Sequence, residues 1–185
     1  MGEAATKECK MATFARRIPV LVVGIVGLPL SLHAAEVRTP KEVVAEIYHI
    51  AAGPKGDYES CDEKDDLACS IDGPRIKALM TRSLREAMTA MLKFEEQSND
   101  VILDFDPITD SQDPSVHKLV IAAEPVIGDS DIVDVSFEWR YGENSSKREI
   151  RYDLKREGGV WLVDNIRGVT KDGVWNLRDA IKLPN

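Results

Sequence analysis

The sequence predicts an α+β domain in which a curved antiparallel meander of four strands packs on N-terminal helices. Three observations lead to this prediction. Two amphipathic helical patterns come first, alternating apolar and polar residues then indicate consecutive strands over residues 116–166, and a short helical tail ends the chain. Short turns join the strands, so neighbours in sequence are expected to pair antiparallel while the helices cover one face of the sheet.

The clearest hairpin lies in residues 147–167. Its first half alternates apolar and charged residues with the period of two expected of a half-buried strand. Gly158 and Gly159 predict the turn, because glycine accepts positive φ without steric cost. Residues 160–166 follow as a more apolar strand, and a similar alternation over residues 133–141 predicts the strand before the hairpin.

The first helix is predicted over residues 40–52. Thr39 can cap it, Pro40 suits the first helical position, and Glu42 can complete a capping box. Its apolar residues recur with helical spacing, which indicates one buried face.

A second long helix is predicted over residues 84–97, with Ser83 as its cap and Glu86 in the capping-box position. Its apolar face includes two methionines, which at this spacing are interpreted as core. A short helical turn is expected at residues 74–80 and a short closing helix at residues 175–183, with a loop between the last strand and that helix.

Residues 1–35 have the layout of a cleaved secretory signal peptide. Arg16 and Arg17 precede an apolar run, residues 18–32, and small residues follow. The run is shorter than the ~20 residues that span a bilayer, which disfavours the alternative of a retained anchor. The mature protein is therefore expected to be a single domain, residues 36–185, in the periplasm or secreted.

The chain is acidic, with a formal net charge of −8. Residues 1–35 carry four basic and two acidic residues, so their removal changes the net charge to −10. This balance argues against nucleic acid and against anionic membrane surfaces as partners. It leaves a protein or small-molecule ligand, including a cationic one, as the expected partner.

Cys61 and Cys69 remain after signal cleavage and are predicted to form a disulfide in an oxidising compartment. A zinc or redox pair is the alternative, but the spacing is too wide for a Cys-x-x-Cys motif and no histidine lies nearby. No metal site and no cofactor are predicted.

The stretch over residues 99–113 is acidic and rich in turn-forming residues. Such oxygen ligands suit calcium, but the order lacks the glycine and closing glutamate of an EF-hand loop. The favoured interpretation is that its carboxylates form Asx turns and cap local backbone groups.

Five side chains are candidates for a ligand pocket. Trp139, Tyr152 and Trp161 fall on predicted strands, and Tyr48 and His49 fall on the first helix. Aromatic side chains on strands can line a pocket, but the alternative that they form the core is favoured.

Four stretches resemble motifs of the bacterial domain of unknown function 3828 family. They are the acidic residues 104–113, the hairpin segments at 152–154 and 159–166, and the tail at 175–178. The resemblance implies the α+β cone of the nuclear transport factor two-like superfamily and export in a Gram-negative bacterium. It implies no activity and no catalytic residue. The sequence departs from the family at Pro114, where an aromatic residue often follows the acidic motif.

Two functional hypotheses follow. The first is an exported, non-catalytic binding module for a protein or small molecule, with an immunity or inhibitor protein as a special case. The second is an isomerase- or hydratase-like enzyme that uses the cone pocket. The enzyme would need a buried carboxylate with a raised pKa within hydrogen-bond reach of Tyr48, His49 or Tyr152. The sequence favours the first hypothesis.

Overall fold

A computed structural model of the chain describes residues 38–58, 69–125, 128–170 and 173–183. The predicted signal peptide lies outside the described residues, and so does Cys61, so export and the disulfide to Cys69 stay predictions. The described elements are α1 (Pro40–Ala51), α2 (Pro74–Lys77), α3 (Arg82–Ser98), β1 (His117–Ala123), β2 (Ser130–Tyr141), β3 (Asn144–Glu157), β4 (Val160–Thr170), β5 (Gly173–Asn176) and α4 (Leu177–Ala180). Among the described helices, none is long and apolar enough to cross a membrane.

The strands form one curved antiparallel sheet in the order β1-β2-β3-β4-β5, each paired with the next strand in the chain. This confirms the α+β class and the antiparallel meander. The sheet has one strand more than predicted. The expected loop after residue 166 is wrong, because β4 continues to Thr170 and β5 pairs with its end, which leaves a shorter closing helix.

The position of Gly168 explains why the sequence predicts the end of β4 too early. A glycine after a strand usually indicates a loop, but Gly168 lies within β4 and pairs with Trp175 on β5. A Cβ atom at position 168 would lie 2.3 Å from Nε1 of Trp175. The glycine is therefore required because the indole occupies the space of a side chain.

Helix α1 begins as predicted. Oγ1 of Thr39 accepts a hydrogen bond from the Glu42 backbone N at 3.3 Å, and the Glu42 carboxylate accepts one from the Thr39 backbone N at 2.7 Å. This is a complete capping box. The helix buries one face in the core through Val43, Val44, Ile47, Tyr48 and Ile50.

Helix α3 begins two residues earlier than predicted, and the prediction of Ser83 as its cap is wrong. Oγ1 of Thr81 accepts from the Leu84 backbone N at 3.3 Å. Thr81 is the cap because backbone hydrogen bonds to β4 fix its position. The Thr81 backbone N donates to the Val163 carbonyl at 2.8 Å, and the Val163 N donates to the Leu79 carbonyl at 2.8 Å. Residues 79–81 are thus held beside β4, and the helix begins directly after them.

The core lies between the helices and the inner face of the sheet, defined as the face that carries Val133, Val135 and Phe137. Burial alternates along β2, so Asp134, Ser136 and Glu138 lie on the outer face. Helix α1 packs against β1, β2 and β4, and α3 packs against β4. The main buried sheet residues are Val133, Val135, Phe137, Ile150, Tyr152, Leu154, Val163 and Ile166.

Asp164 on β4 joins three parts of the fold. Its Oδ1 accepts from Thr81 Oγ1 at 3.0 Å and from Arg178 Nη2 at 2.6 Å, and its Oδ2 pairs with Lys155 Nζ at 2.7 Å. Burial by itself raises the pKa of Asp164, but the hydrogen bonds from Lys155, Thr81 and Arg178 outweigh it and lower the pKa below 3.8. The ionised carboxylate therefore links the start of α3, β3 and α4.

Replacing this carboxylate with an amide is expected to destabilise the protein. Asp164→Asn should lower the free energy of unfolding at pH 7 by about 2 kcal/mol, because hydrogen bonds to charged groups are lost. Since the folded-state pKa is lowered, this contribution is present above the unfolded pKa and is lost as pH falls through the folded pKa, below 3.8. Urea unfolding at pH 7 and pH 3 measures how much stability Asp164→Asn removes at each pH. The control is Asp179→Asn, which changes an exposed aspartate on α4. An equal cost of Asp164→Asn at both pH values would contradict the assignment.

A Cβ at Gly168 should be tolerated only when the indole of Trp175 is absent. Gly168→Ala is expected to cost about 1–3 kcal/mol of stability, because the new methyl group overlaps the ring. In a Trp175→Ala background the same change should cost far less. A double-mutant cycle by urea unfolding measures the difference, and equal costs in both backgrounds would rule out the clash as the cause.

Candidate ligand-binding cleft

A cleft of about 510 Å³ lies between α3, the C-terminal end of α1 and the acidic loop, defined here as residues 103–114. Residues 69–72 complete its described lining. One wall is apolar and comes mainly from α3 and the loop. The apolar lining includes Ala51, Met88, Met91, Leu92, Leu103 and Phe105.

The charged groups in this cleft are all acidic. Asp72, Glu95, Asp104 and Asp106 are among its lining residues, and no Lys, Arg or His is among those described. None of the four carboxylates forms an ion pair with a described residue, although the whole chain contains 24 lysines and arginines. Among the described residues, the cleft therefore combines an apolar wall with carboxylates that have no ion-pair partner.

Two of these carboxylates have structural roles in the chain. Glu95 Oε1 accepts from the Ile102 backbone N at 2.6 Å and from the Leu103 N at 3.1 Å, so it caps the chain reversal after α3. Asp72 accepts a hydrogen bond from the Ser70 hydroxyl. Asp104 differs because it is exposed and its carboxylate has no hydrogen bond to the described residues.

Asp106 forms the predicted Asx turn. Its Oδ1 accepts from the Ile108 backbone N at 3.0 Å and its Oδ2 accepts from Thr109 Oγ1 at 2.8 Å. Burial raises the pKa of Asp106, and these hydrogen bonds offset only part of that rise. Among the described residues, no group of three or more His, Cys, Asp or Glu side chains is arranged to hold a metal ion.

Three aromatic side chains of the core and the sheet donate hydrogen bonds to the acidic loop. The Tyr48 hydroxyl on α1 donates to the Ile108 carbonyl at 2.8 Å, and Trp139 Nε1 on β2 donates to the Asp113 carbonyl at 2.9 Å. Trp175 Nε1 on β5 donates to Asp110 Oδ1 at 2.6 Å. These bonds come from three separate elements and fix the position of the loop relative to the core.

Asp110 lies at the centre of this attachment. It is buried with a positive φ of 52°, and its Oδ2 lies 3.8 Å from Arg148 Nη1. Burial raises the pKa of Asp110, while the hydrogen bond from Trp175 and the charge of Arg148 act in the opposite direction. Phe105 packs edge-to-face on Trp175 with a centroid distance of 5.0 Å. The tail strand and the cleft wall are thus in direct contact.

The structure brings together only some of the five predicted pocket residues. Tyr48 and Tyr152 are buried in the core and pack edge-to-face with ring centroids 6.2 Å apart. Burial raises the pKa of both hydroxyls well above 10.0. His49 lies on the exposed side of α1, in a shallow groove with Arg38 and Glu46.

The two predicted pocket tryptophans lie far apart. Trp139 pairs with Ser146 near one end of β3, and Trp161 pairs with Arg156 near the other. These partners, Ser146 and Arg156, are ten residue steps apart, which corresponds to roughly 33 Å of strand. Trp161 is buried, with the guanidinium of Arg156 over its ring at 4.7 Å. None of the five candidates is among the described residues that line the cleft. The burial of Tyr48, Tyr152 and Trp161 agrees with the alternative that the aromatic residues belong to the core, whereas Trp139 is half-buried and His49 is exposed.

A second cavity, of about 520 Å³, lies on the outer face of the sheet. Its charged lining residues are ion-paired. Arg151 pairs with Asp134 at 2.6 Å, Arg167 pairs with Asp153, and the neighbouring lysine and glutamate of β3 pair with each other. Because these charges are already paired within the chain, this surface is expected to attract a charged ligand less strongly than the cleft does.

Sequence reasoning did not identify the cleft residues as a site. Met88 and Met91 were interpreted as core, and both are buried, yet they also line the cleft. Asp104 and Asp106 were interpreted as turn residues, which is confirmed for Asp106. The available signal was an acidic loop directly after a methionine-bearing helix, but the sequence does not show that the loop folds back along that helix.

Comparisons of the chain with protein-family models, curated proteins and solved structures find no match. The resemblance to the domain of unknown function 3828 family therefore stays a prediction. The arrangement of the cleft and its acidic loop is the basis for a functional proposal.

The two core tyrosines should respond differently to loss of their hydroxyls. Tyr48→Phe is expected to cost about 1–2 kcal/mol, because it leaves the Ile108 carbonyl without its donor. Tyr152→Phe should cost less, since the buried Tyr152 hydroxyl lies beside the Tyr48 hydroxyl but donates to no backbone carbonyl of the described residues. Urea unfolding measures both variants, and amide exchange near Ile108 should accelerate only in Tyr48→Phe. Equal destabilisation by both changes would contradict this assignment.

Proposed function

We propose that the protein is an exported, non-catalytic binding module of the nuclear transport factor two-like superfamily that holds a small amphipathic ligand in the cleft. The observation that carries the proposal is the cleft itself. Its volume of about 510 Å³ and its apolar wall with a few polar groups are typical of small-molecule sites. Export is supported by the apolar, arginine-preceded segment within residues 1–35.

The assignment to the cone superfamily is supported by the curved sheet packed on α1 and α3. A further support is that two of the resembling motifs meet in space. Asp110 of the acidic stretch accepts the hydrogen bond of Trp175 from the tail. Motifs far apart in sequence that contact each other are expected when they belong to one conserved structural unit, which the resemblance implies.

A non-catalytic role is supported by the hydrogen bonds around the cleft carboxylate. Both oxygens of Asp106 accept hydrogen bonds from its own loop, so local contacts rather than a catalytic partner orient this carboxylate. The Tyr48 hydroxyl donates to a backbone carbonyl, and no hydrogen bond joins Tyr48, His49 or Tyr152 to this carboxylate. An acid–base pair that converges on one point of the cleft is therefore not formed by these groups.

The alternative is an isomerase- or hydratase-like enzyme, favoured by one observation. Asp106 lines the cleft and its pKa is raised by burial, as expected of a general base. Such an enzyme would exchange α-protons of small ketones with solvent. Exchange in D₂O that is detected by NMR with the wild-type protein and abolished in Asp106→Asn would favour the enzyme over the binding module.

An immunity or inhibitor protein is the special case in which the partner is a basic enzyme. The net charge of the chain, −8 before signal removal, supports attraction to such a partner.

Binding in the cleft can be tested with octyl glucoside, a neutral amphiphile, below its micelle-forming concentration. We expect NMR shift changes at the described lining residues, and Leu92→Gln should weaken binding about fivefold by removing apolar contact. The matched control is Leu162→Gln, because Leu162 is also half-buried but lies on β4 away from the cleft. Shift changes elsewhere, or equal weakening by both variants, would contradict the proposal.

A further inference from the structure

We infer that the ligand of the cleft is a small amphipathic cation, an alkyl or aryl ammonium whose charged end lies at Asp104 and Asp106 and whose apolar body lies against α3. The inference rests on the proposed function and adds the chemical class of the ligand.

Outside the cleft, most carboxylates on the strands are paired with cations, although Asp131 and Glu157 form no ion pair with a described residue. Asp134 pairs with Arg151, Asp153 pairs with Arg167, and Asp164 pairs with both Lys155 and Arg178. Glu138 on the outer face similarly pairs with Lys118 and Arg140. The chain therefore has basic side chains to place beside its acids, and in the sheet it does so repeatedly.

Inside the cleft the pattern is reversed. Four acidic residues face an apolar wall, and no described lining residue is basic. A carboxylate near apolar surface loses hydration, and an opposite charge is the most favourable compensation. A bound cation would supply the countercharge that the described chain does not provide.

The positions of these groups define the shape of the ligand. Met88, Met91 and Leu92 form the apolar side on α3, and Asp104 and Asp106 lie on the loop that forms another side. Methionine side chains adapt to ligands of irregular shape. Phe105, between the two aspartates in sequence, also lines the cleft and offers an aromatic ring to an ammonium group. A body that packs on α3 therefore places a cationic end near the loop.

Two of the four carboxylates are suited to receive this charge. Asp104 is exposed and has no hydrogen bond to the described residues through its carboxylate. Asp106 is oriented by hydrogen bonds from Ile108 and Thr109 of its Asx turn, and because a carboxylate has about four acceptor positions, capacity for a further donor is left. The raised pKa of Asp106 is consistent with a carboxylate that lacks a countercharge.

The experiment compares three probes with the same octyl chain: octyltrimethylammonium, neutral octyl glucoside and octyl sulfate. Calorimetric titration of the full mature chain should give the tightest binding for the ammonium, at least about tenfold tighter than for the sulfate. Raising the salt concentration should weaken binding of the ammonium and leave the glucoside nearly unchanged.

A charge-removing variant tests the role of the loop. Asp104→Asn should weaken ammonium binding about three- to tenfold and leave glucoside binding within about twofold, because only the Coulombic attraction changes. Its carboxylate has no described hydrogen bond to lose, so folding should be unaffected. The matched control is Asp129→Asn, an exposed aspartate in the turn before β2, which should change neither affinity.

The results distinguish failure of the cationic-ligand inference from failure of the proposed binding module. If the glucoside binds in the cleft but the ammonium is not preferred, or Asp104→Asn and Asp129→Asn have equal effects, the cationic ligand is ruled out while the binding cleft stands. If no probe shifts the NMR signals of the lining residues, the binding module itself is contradicted. Preference for the ammonium that is lost in Asp104→Asn supports both.

Discussion

The position of the acidic loop depends on hydrogen bonds from aromatic side chains of the core and the sheet. Tyr48, Trp139 and Trp175 each donate a hydrogen bond to the loop, and the Trp175 ring also packs on Phe105 of the loop. Residues 103–114 contain no helix or strand of the described fold, so their backbone groups need such partners. An aromatic side chain suits this role because it combines a large apolar body with one polar end.

This attachment determines where the cleft lies. The donors reach the loop from α1, β2 and β5, and two of them are 60 and 65 residues away from their acceptors. The loop is thereby fixed opposite α3, and its residues Asp104 and Asp106 line the cleft. The apolar lining comes from α3 and the carboxylates come largely from the loop. The cleft therefore exists only when the two elements are held next to each other.

The structure also separates two uses of acidic residues. On the sheet and at its junction with the helices, most carboxylates are ion-paired, as Asp134 and Asp164 show. Around the cleft they either cap the backbone, as Glu95 does, or have no described partner, as in Asp104. Composition alone suggests an evenly acidic protein, whereas the fold brings four carboxylates that form no ion pair with a described residue onto the lining of one partly apolar cleft. Their grouping beside an apolar wall is what makes a cationic ligand chemically reasonable.

By itself, the sequence determined the features that depend on neighbouring residues. The alternation along β2 and β3, the capping box of α1 and the Asx turn of Asp106 are short-range interactions that can be recognised from spacing. Only the tertiary structure decided the features that depend on distant partners. Thr81 begins α3 because Val163 pairs with its backbone, and β4 passes through Gly168 because Trp175 needs the space. The cleft belongs to this second group, because long-range hydrogen bonds place its loop, and periodicity carries no information about them.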